Sequence, residues 1–127
     1  MDIHESLVEK IPPQNLEAEA SVLGAMLFAP EAVYRAFEVL SHSFFYLEAH
    51  RLIFSAMVGL FDRTQAIDLI TVTEELRKRK QLEAIGGISY LSALQDAPPS
   101  AANLEWYLDI LQDLSTKRSL ISASTRA

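Results

Sequence analysis

Cysteine is missing altogether from these 127 residues. That excludes a disulfide framework and thiolate zinc sites, and it fits a reducing compartment. Glycine is scarce, at four residues, and proline little commoner, at five, which leaves room for long uninterrupted elements. Alanine and leucine are plentiful and β-branched residues are not bunched, so those elements read as helices. Cations are in deficit: eleven Lys and Arg face seventeen Asp and Glu, for a net charge of −6. A phosphate backbone is gripped by Lys and Arg, so little direct DNA binding is expected, and solubility is the ordinary consequence of the charge. No apolar run approaches the ~18 residues of a membrane span. MDIHESLVEK carries no apolar signal-peptide core. A soluble, cytoplasmic protein without membrane contact is the expectation.

What is present suits one helical domain. The length is that of a single domain, and half the residues are apolar, enough for a core. Residues 1–14 read as a polar tail ending in Pro12-Pro13. Asn15 is placed as an N-cap, with Glu17 and Glu19 in the first turn as partners of the helix dipole. Leu16, Ala20, Leu23 and Leu27 recur at helical spacing and predict one apolar face, and Ala29-Pro30 ends the helix. Val33, Phe37 and Leu40 mark a short second helix, broken at Ser41-His42-Ser43. From Tyr46 to Phe61 apolar residues cover much of the circumference, which predicts the central helix of the domain. Thr71 and Glu74 match a capping box, giving a helix over Val72–Lys80. Gly86-Gly87 is a turn. Ile88, Leu91 and Leu94 indicate a fifth helix, closed by Pro98-Pro99.

From Ser100, another N-cap, no Gly or Pro interrupts the chain. Leu104, Tyr107, Leu111 and Leu114 form a heptad seam, which Arg118 interrupts before Ile121 follows, the pattern of a helix that packs on another. About 40 Å of helix at 1.5 Å per residue would project from a small domain. It carries no stop signal, so a chain cut from a longer one is expected. The fold class is all-α: a head of five to six helices over 15–98, then a long projecting helix over 99–127.

Catalytic motifs are not found. No glycine precedes a lysine, so there is no GxxxxGK[ST] phosphate loop and no Gly-rich dinucleotide turn. His4, His42 and His50 lack metal-ligand spacing and read as capping or core-edge residues. Glu17/Glu19 and Glu74/Glu75 read as caps and dipole partners rather than an acid/base pair. No catalytic, cofactor or metal site is expected. Arg77-Lys78-Arg79-Lys80 could touch phosphate, but cations at a helix C-terminus also complement the dipole. Trp106 and Tyr107 are either interface anchors or core.

Three blocks carry more: IPPQNLEAEASVLGAML, LEAHRLIFSAM (47–57) and IDLITVTEELRKRKQLEAIGGISYLSALQDAPPSAANLEWYLDIL (67–111). In this order they resemble the N-terminal domain of bacterial replicative DNA helicases of the DnaB family, over about residues 11–121. The resemblance implies a helical head plus a helical hairpin whose first arm begins near Ser100. It implies a parent that is an ATP-dependent 5'-3' hexameric helicase, with ATP and Mg in a C-terminal RecA-like domain absent from this chain. It implies subunit pairing through the hairpin into a collar, docking of primase on that collar, and contact with a helicase loader. Residue by residue, Glu17, Tyr90 and Ile121 fall at primase-contact positions, and the seam residues fall at the subunit interface. A free-standing helical adaptor, the similar helicase-binding domain of primase, and a DNA-binding module using Arg77–Lys80 are the alternatives.

Overall fold

The computed structural model describes residues 13–97 and 103–125. Among them are six α-helices and no strand: α1 (Leu16–Phe28), α2 (Pro30–Val39), α3 (Glu48–Asp62), α4 (Leu69–Lys78), α5 (Gly87–Asp96) and α6 (Leu104–Thr125), with a 3-10 turn at His42–Phe44 before α3. The all-α expectation holds. The Pro98-Pro99 stop and the Ser100 cap lie outside the described residues, as do His4 and Pro12.

Asn15 caps α1 as its sequence predicts, its side chain accepting the Ala18 N–H at 3.0 Å. The helix then departs from the one-face pattern. Ala18, Val22, Leu23, Gly24, Ala25, Met26 and Leu27 are all buried, and so is Glu19. Small residues let neighbouring backbones approach from several sides, and α1 packs against α2, α3, α5 and α6. The central helix is therefore α1, not the 46–61 segment. Alanine and glycine weigh little in a hydrophobic pattern, so a helix wrapped on all sides through small residues is hard to see in sequence. Leu16, expected inward, lies at the exposed end of the helix.

In α3 the buried positions are His50, Ile53, Phe54, Ala56, Met57 and Leu60. Phe61 stays exposed and meets Tyr34 and Phe37 edge to face, at 5.7 and 5.0 Å between centroids. The cap of α4 also differs from expectation. Asp68 is the N-cap and Thr71 its third residue, and each accepts the other's backbone N–H at 2.9 Å. The box is real but starts three residues earlier, because an Asp carboxylate caps as well as a threonine hydroxyl. The helix ends at Lys78, and Lys80 turns to a positive φ of 60°.

The last helix is 22 residues long, about 33 Å. Its first half belongs to the head. Leu104, Leu108 and Leu111 are buried in the core, while Tyr107 and Leu114 are half-buried. The core thus crosses the expected boundary at residue 98/99. The seam runs through Leu108, which the predicted heptad skipped. The second half turns outward, with Leu120 and Ile121 exposed.

Candidate functional site

The start of α3 presents a problem in hydrogen bonding. Its N-cap position is Leu47, which has no capping side chain, yet the first N–H groups of a helix have no partner within it. A distant residue supplies one. Glu19, fully buried in α1, accepts the Tyr46 N–H at 2.6 Å and the Leu47 N–H at 3.3 Å. The carboxylate therefore sits at the positive end of α3, where negative charge is favoured. It also holds the ring of His50, whose Nδ1 is 2.7 Å from Glu19 Oε1.

The chain of contacts continues to the surface. His50 Nε2 lies 2.6 Å from the Tyr90 hydroxyl, and the two rings are near parallel, 5.9 Å between centroids. Tyr90 is half-buried at the outer end of this series. Burial, and then the charge of Glu19, push its phenol above the ordinary value of 10.0, so the hydroxyl keeps its proton. Tyr90 is also placed by the turn before α5. Gly86 has φ +106°, and a Cβ there would come within 2.9 Å of the Tyr90 Cβ. Only glycine combines that backbone with that clearance.

Tyr90 thus reaches the first turn of α1 through His50 and Glu19, and Glu17 is exposed on that same turn. The last helix is tied to the same place. Arg118 donates to the Pro13 carbonyl at 2.9 Å and the Phe44 carbonyl at 2.8 Å, with its guanidinium 5.9 Å over the Tyr46 ring. Ile121, 49% exposed, is one turn further along. Tyr90 is thus linked to the first turn of α1, on which Glu17 is exposed, and Ile121 follows by one turn the arginine that binds the Pro13 carbonyl.

The proposed seam divides. Leu104 and Leu111 are buried in this chain's own core, so their side chains are not exposed to a second subunit in this conformation. Arg118 does not interrupt an apolar seam but clamps the last helix to the segment before α1 and to the 3-10 turn. Trp106, 62% exposed, packs on Tyr107 at 5.1 Å between centroids. Trp106 lies outside the core, as interface anchors do, and Tyr107 is half-buried against it.

Other ionisable groups are used to join helices. Glu75, expected as a surface partner of the dipole, is buried in α4 and binds Arg63 at 2.5 Å and Arg79 at 2.8 Å. Those hydrogen bonds hold its carboxyl below the ordinary 4.5. Arg77 pairs with Glu74, so two of the four cations at 77–80 are matched by glutamates of their own helix. Among the described residues no three His, Asp or Glu gather as metal ligands, and no helix is long and apolar enough to cross a membrane. A groove of 450 Å³ between α2 and α3 is lined by Phe37, Leu40, Phe54, Val58 and Phe61, with Ser41, His42, Ser55 and Asp62 as its polar groups. The glycines do not cradle phosphate: Gly24 is inside α1, Gly59 lies against Arg79, and Gly86-Gly87 is the turn below Tyr90.

Sequence reasoning missed Glu19, His50 and Glu75 as partners of anything. One signal was available. Tyr46-Leu47 before a strong helix lacks any capping residue, which asks for a cap from elsewhere.

Fold and site together define a helical head domain. Its buried ionisable groups tie helices together, and its exposed groups are of the kind that contact proteins. A family model described as DnaB-like helicase N terminal domain matches residues 11–113. The chain belongs to that family. It is 50% identical over 117 residues to the replicative DNA helicase DnaB of Geobacillus stearothermophilus, covering 92% of this chain and 26% of that protein. It is 45% identical over 119 residues to the replicative DNA helicase DnaC of Bacillus subtilis, covering 94% and 26%. The chain thus spans about a quarter of the length of these relatives. Among solved structures, the N-terminal domain of DnaB helicase from Mycobacterium tuberculosis superposes with a TM-score of 0.86 at 40% identity, over 91% of this chain and 84% of that one. The N-terminal domain of DnaB helicase from Helicobacter pylori, described together with its interactions with primase, gives 0.75 at 25% identity, over 99% and 94%.

Proposed function

We propose that this domain serves collar assembly and primase docking in a hexameric, ATP-dependent 5'-3' replicative helicase. The observation that carries the reading is the series from Tyr90 through His50 to Glu19 in the first turn of α1, the turn on which Glu17 is exposed, with Arg118 tying the last helix to the Pro13 carbonyl just before it. An acidic, an aromatic and an aliphatic side chain on a rigid head suit recognition of a folded partner. The primase interactions described for the H. pylori domain support the same reading.

The outer half of α6 is the natural contact for a second subunit, through Leu114, Leu120 and Ile121 together with Trp106 and Tyr107. Such contacts would pair subunits within the ring. A loader is a further partner of the whole helicase. ATP and Mg belong to the RecA-like part of the parent. The domain's contribution is mechanical: it arranges subunits and presents a docking face.

The test is titration of the chain with the helicase-binding domain of primase. Glu17→Ala, Tyr90→Ala and Ile121→Ala are each expected to weaken binding, with the fold intact by circular dichroism. Unchanged affinity in all three would sink the docking reading.

A further inference from the structure

A tyrosine hydroxyl has one hydrogen. If it is given to a group inside the protein, the oxygen can only accept from a group outside; if the inside group donates to the oxygen, the hydrogen is free to point outward. Among the described residues the inside neighbour of the Tyr90 hydroxyl is His50 Nε2 at 2.6 Å, so the imidazole decides. We infer that His50 and Glu19 are positioning residues of the docking site, which set the polarity of the Tyr90 hydroxyl toward its partner. The inference rests on the docking reading above and adds to it what the partner must offer.

Both oxygens of Glu19 accept backbone N–H groups, the part of an ionised carboxylate, and Oε1 also receives His50 at 2.7 Å. Nδ1 is therefore the donor to Glu19 in either charge state of the ring. With a neutral ring, Nε2 has a lone pair, Tyr90 donates inward, and its oxygen faces the partner as an acceptor. A lysine, arginine or amide N–H then fits. With an imidazolium, Nε2–H donates to the Tyr90 oxygen, and the phenol hydrogen turns outward to meet a carboxylate or carbonyl. His50 is only 1% exposed, so water cannot scramble this choice. The groups facing its ring are Glu19 from α1, Tyr90 from α5 and the Phe45 ring, 6.4 Å between centroids. Neighbouring charges are engaged elsewhere: Arg51 with Glu48 and the Phe45 and Tyr46 carbonyls, and Arg118 with the Pro13 and Phe44 carbonyls.

The experiment is a double-mutant cycle on His50 and Tyr90, read as affinity for the helicase-binding domain of primase as a function of pH. The amide of asparagine reaches the place of Nδ1 but not of Nε2, so His50→Asn keeps the link to Glu19 and cuts the link to Tyr90. His50→Asn is expected to weaken binding about 3- to 10-fold, the value of one hydrogen bond, and to remove a component of the pH dependence. In a Tyr90→Phe background the same change is expected to cost less than about 2-fold, since the pair is already uncoupled. His50→Asn with wild-type affinity and pH profile, while Tyr90→Phe weakens binding, overturns the relay and leaves docking standing. Tyr90→Phe and Tyr90→Ala both without effect overturn docking itself, and the relay with it. Should His50→Asn fail to fold, wild type against Tyr90→Phe decides: a pH profile identical in the two overturns the relay, and one that flattens in Tyr90→Phe supports it.

Discussion

Two glutamates are buried among the described residues, and they do opposite kinds of work. Glu19 is sealed at the centre, 0% exposed, and its partners are two backbone N–H groups and an imidazole from 27 to 31 residues away. Glu75 lies at the edge, 6% exposed, between Arg63 and Arg79, whose side chains are 47% and 32% exposed. The first joins α1 to the start of α3 directly and to α5 through His50. The second joins α4 to the end of α3 through cations that water can take back. A buried acceptor is worth what its loss strands, and the two sites strand very different things.

The largest expected effect comes from breaking the sealed site. Glu19→Ala leaves the Tyr46 and Leu47 N–H groups and the His50 Nδ1–H unpaired in the core. The expected loss is about 3–5 kcal/mol, read as the urea midpoint, and it exceeds that of any other single carboxylate here. Glu75→Ala comes second, at about 1–3 kcal/mol, because Arg63 and Arg79 can turn to solvent. Acid sharpens the contrast. The folded value of Glu75 lies below the ordinary 4.5, so its contribution is complete above that pH and is lost as pH falls through the folded value. The stability gap between wild type and Glu75→Gln is therefore expected to be flat above pH 4.5 and to close below it.

Gly59→Ala tests the edge site from the other side. A Cβ at 59 would meet the Arg79 guanidinium, which lies flat against that turn of α3. Displacing it is expected to cost about 1 kcal/mol, and less once Glu75 is alanine, since the guanidinium then has no carboxylate to leave. The smallest effect belongs to the pair outside the core. Arg35 binds Glu105 through two hydrogen bonds, at 2.6 and 2.7 Å, yet both side chains are largely in water. Exposed pairs contribute little, so Arg35→Ala is expected to shift the urea midpoint barely measurably. A large shift there would undo the rule that exposure orders the three sites.

Much of the head was legible in order along the chain. Asn15, the Ala29-Pro30 break, the Gly86-Gly87 turn and the long uninterrupted last helix are local signals, and local chemistry answers for them. Thr71 was recognised as part of a capping box but assigned the wrong end of it, since Asp68 and Thr71 are both competent caps and only the backbone distinguishes them. Leu108 was passed over because a strict heptad from Leu104 selects Tyr107 instead. Glu19 was read as a helix-end charge. Its spacing to Glu17 says nothing of the 3-10 turn and α3, which bring two bare N–H groups to meet it.

The sequence by itself determined which segments are helical, and that the chain carries no phosphate loop or metal-ligand spacing, because each of these depends on residues a few positions apart. Three matters were decided only in the folded molecule. They are that α1 and not α3 is the centre, that Leu104 and Leu111 belong to this chain's own core, and that Glu19, His50 and Tyr90 form one series from core to surface. The reason is the same for all three. Burial and hydrogen-bond partnership are set by which helices meet, and residues 19, 50 and 90 are neighbours only after α1, α3 and α5 have packed.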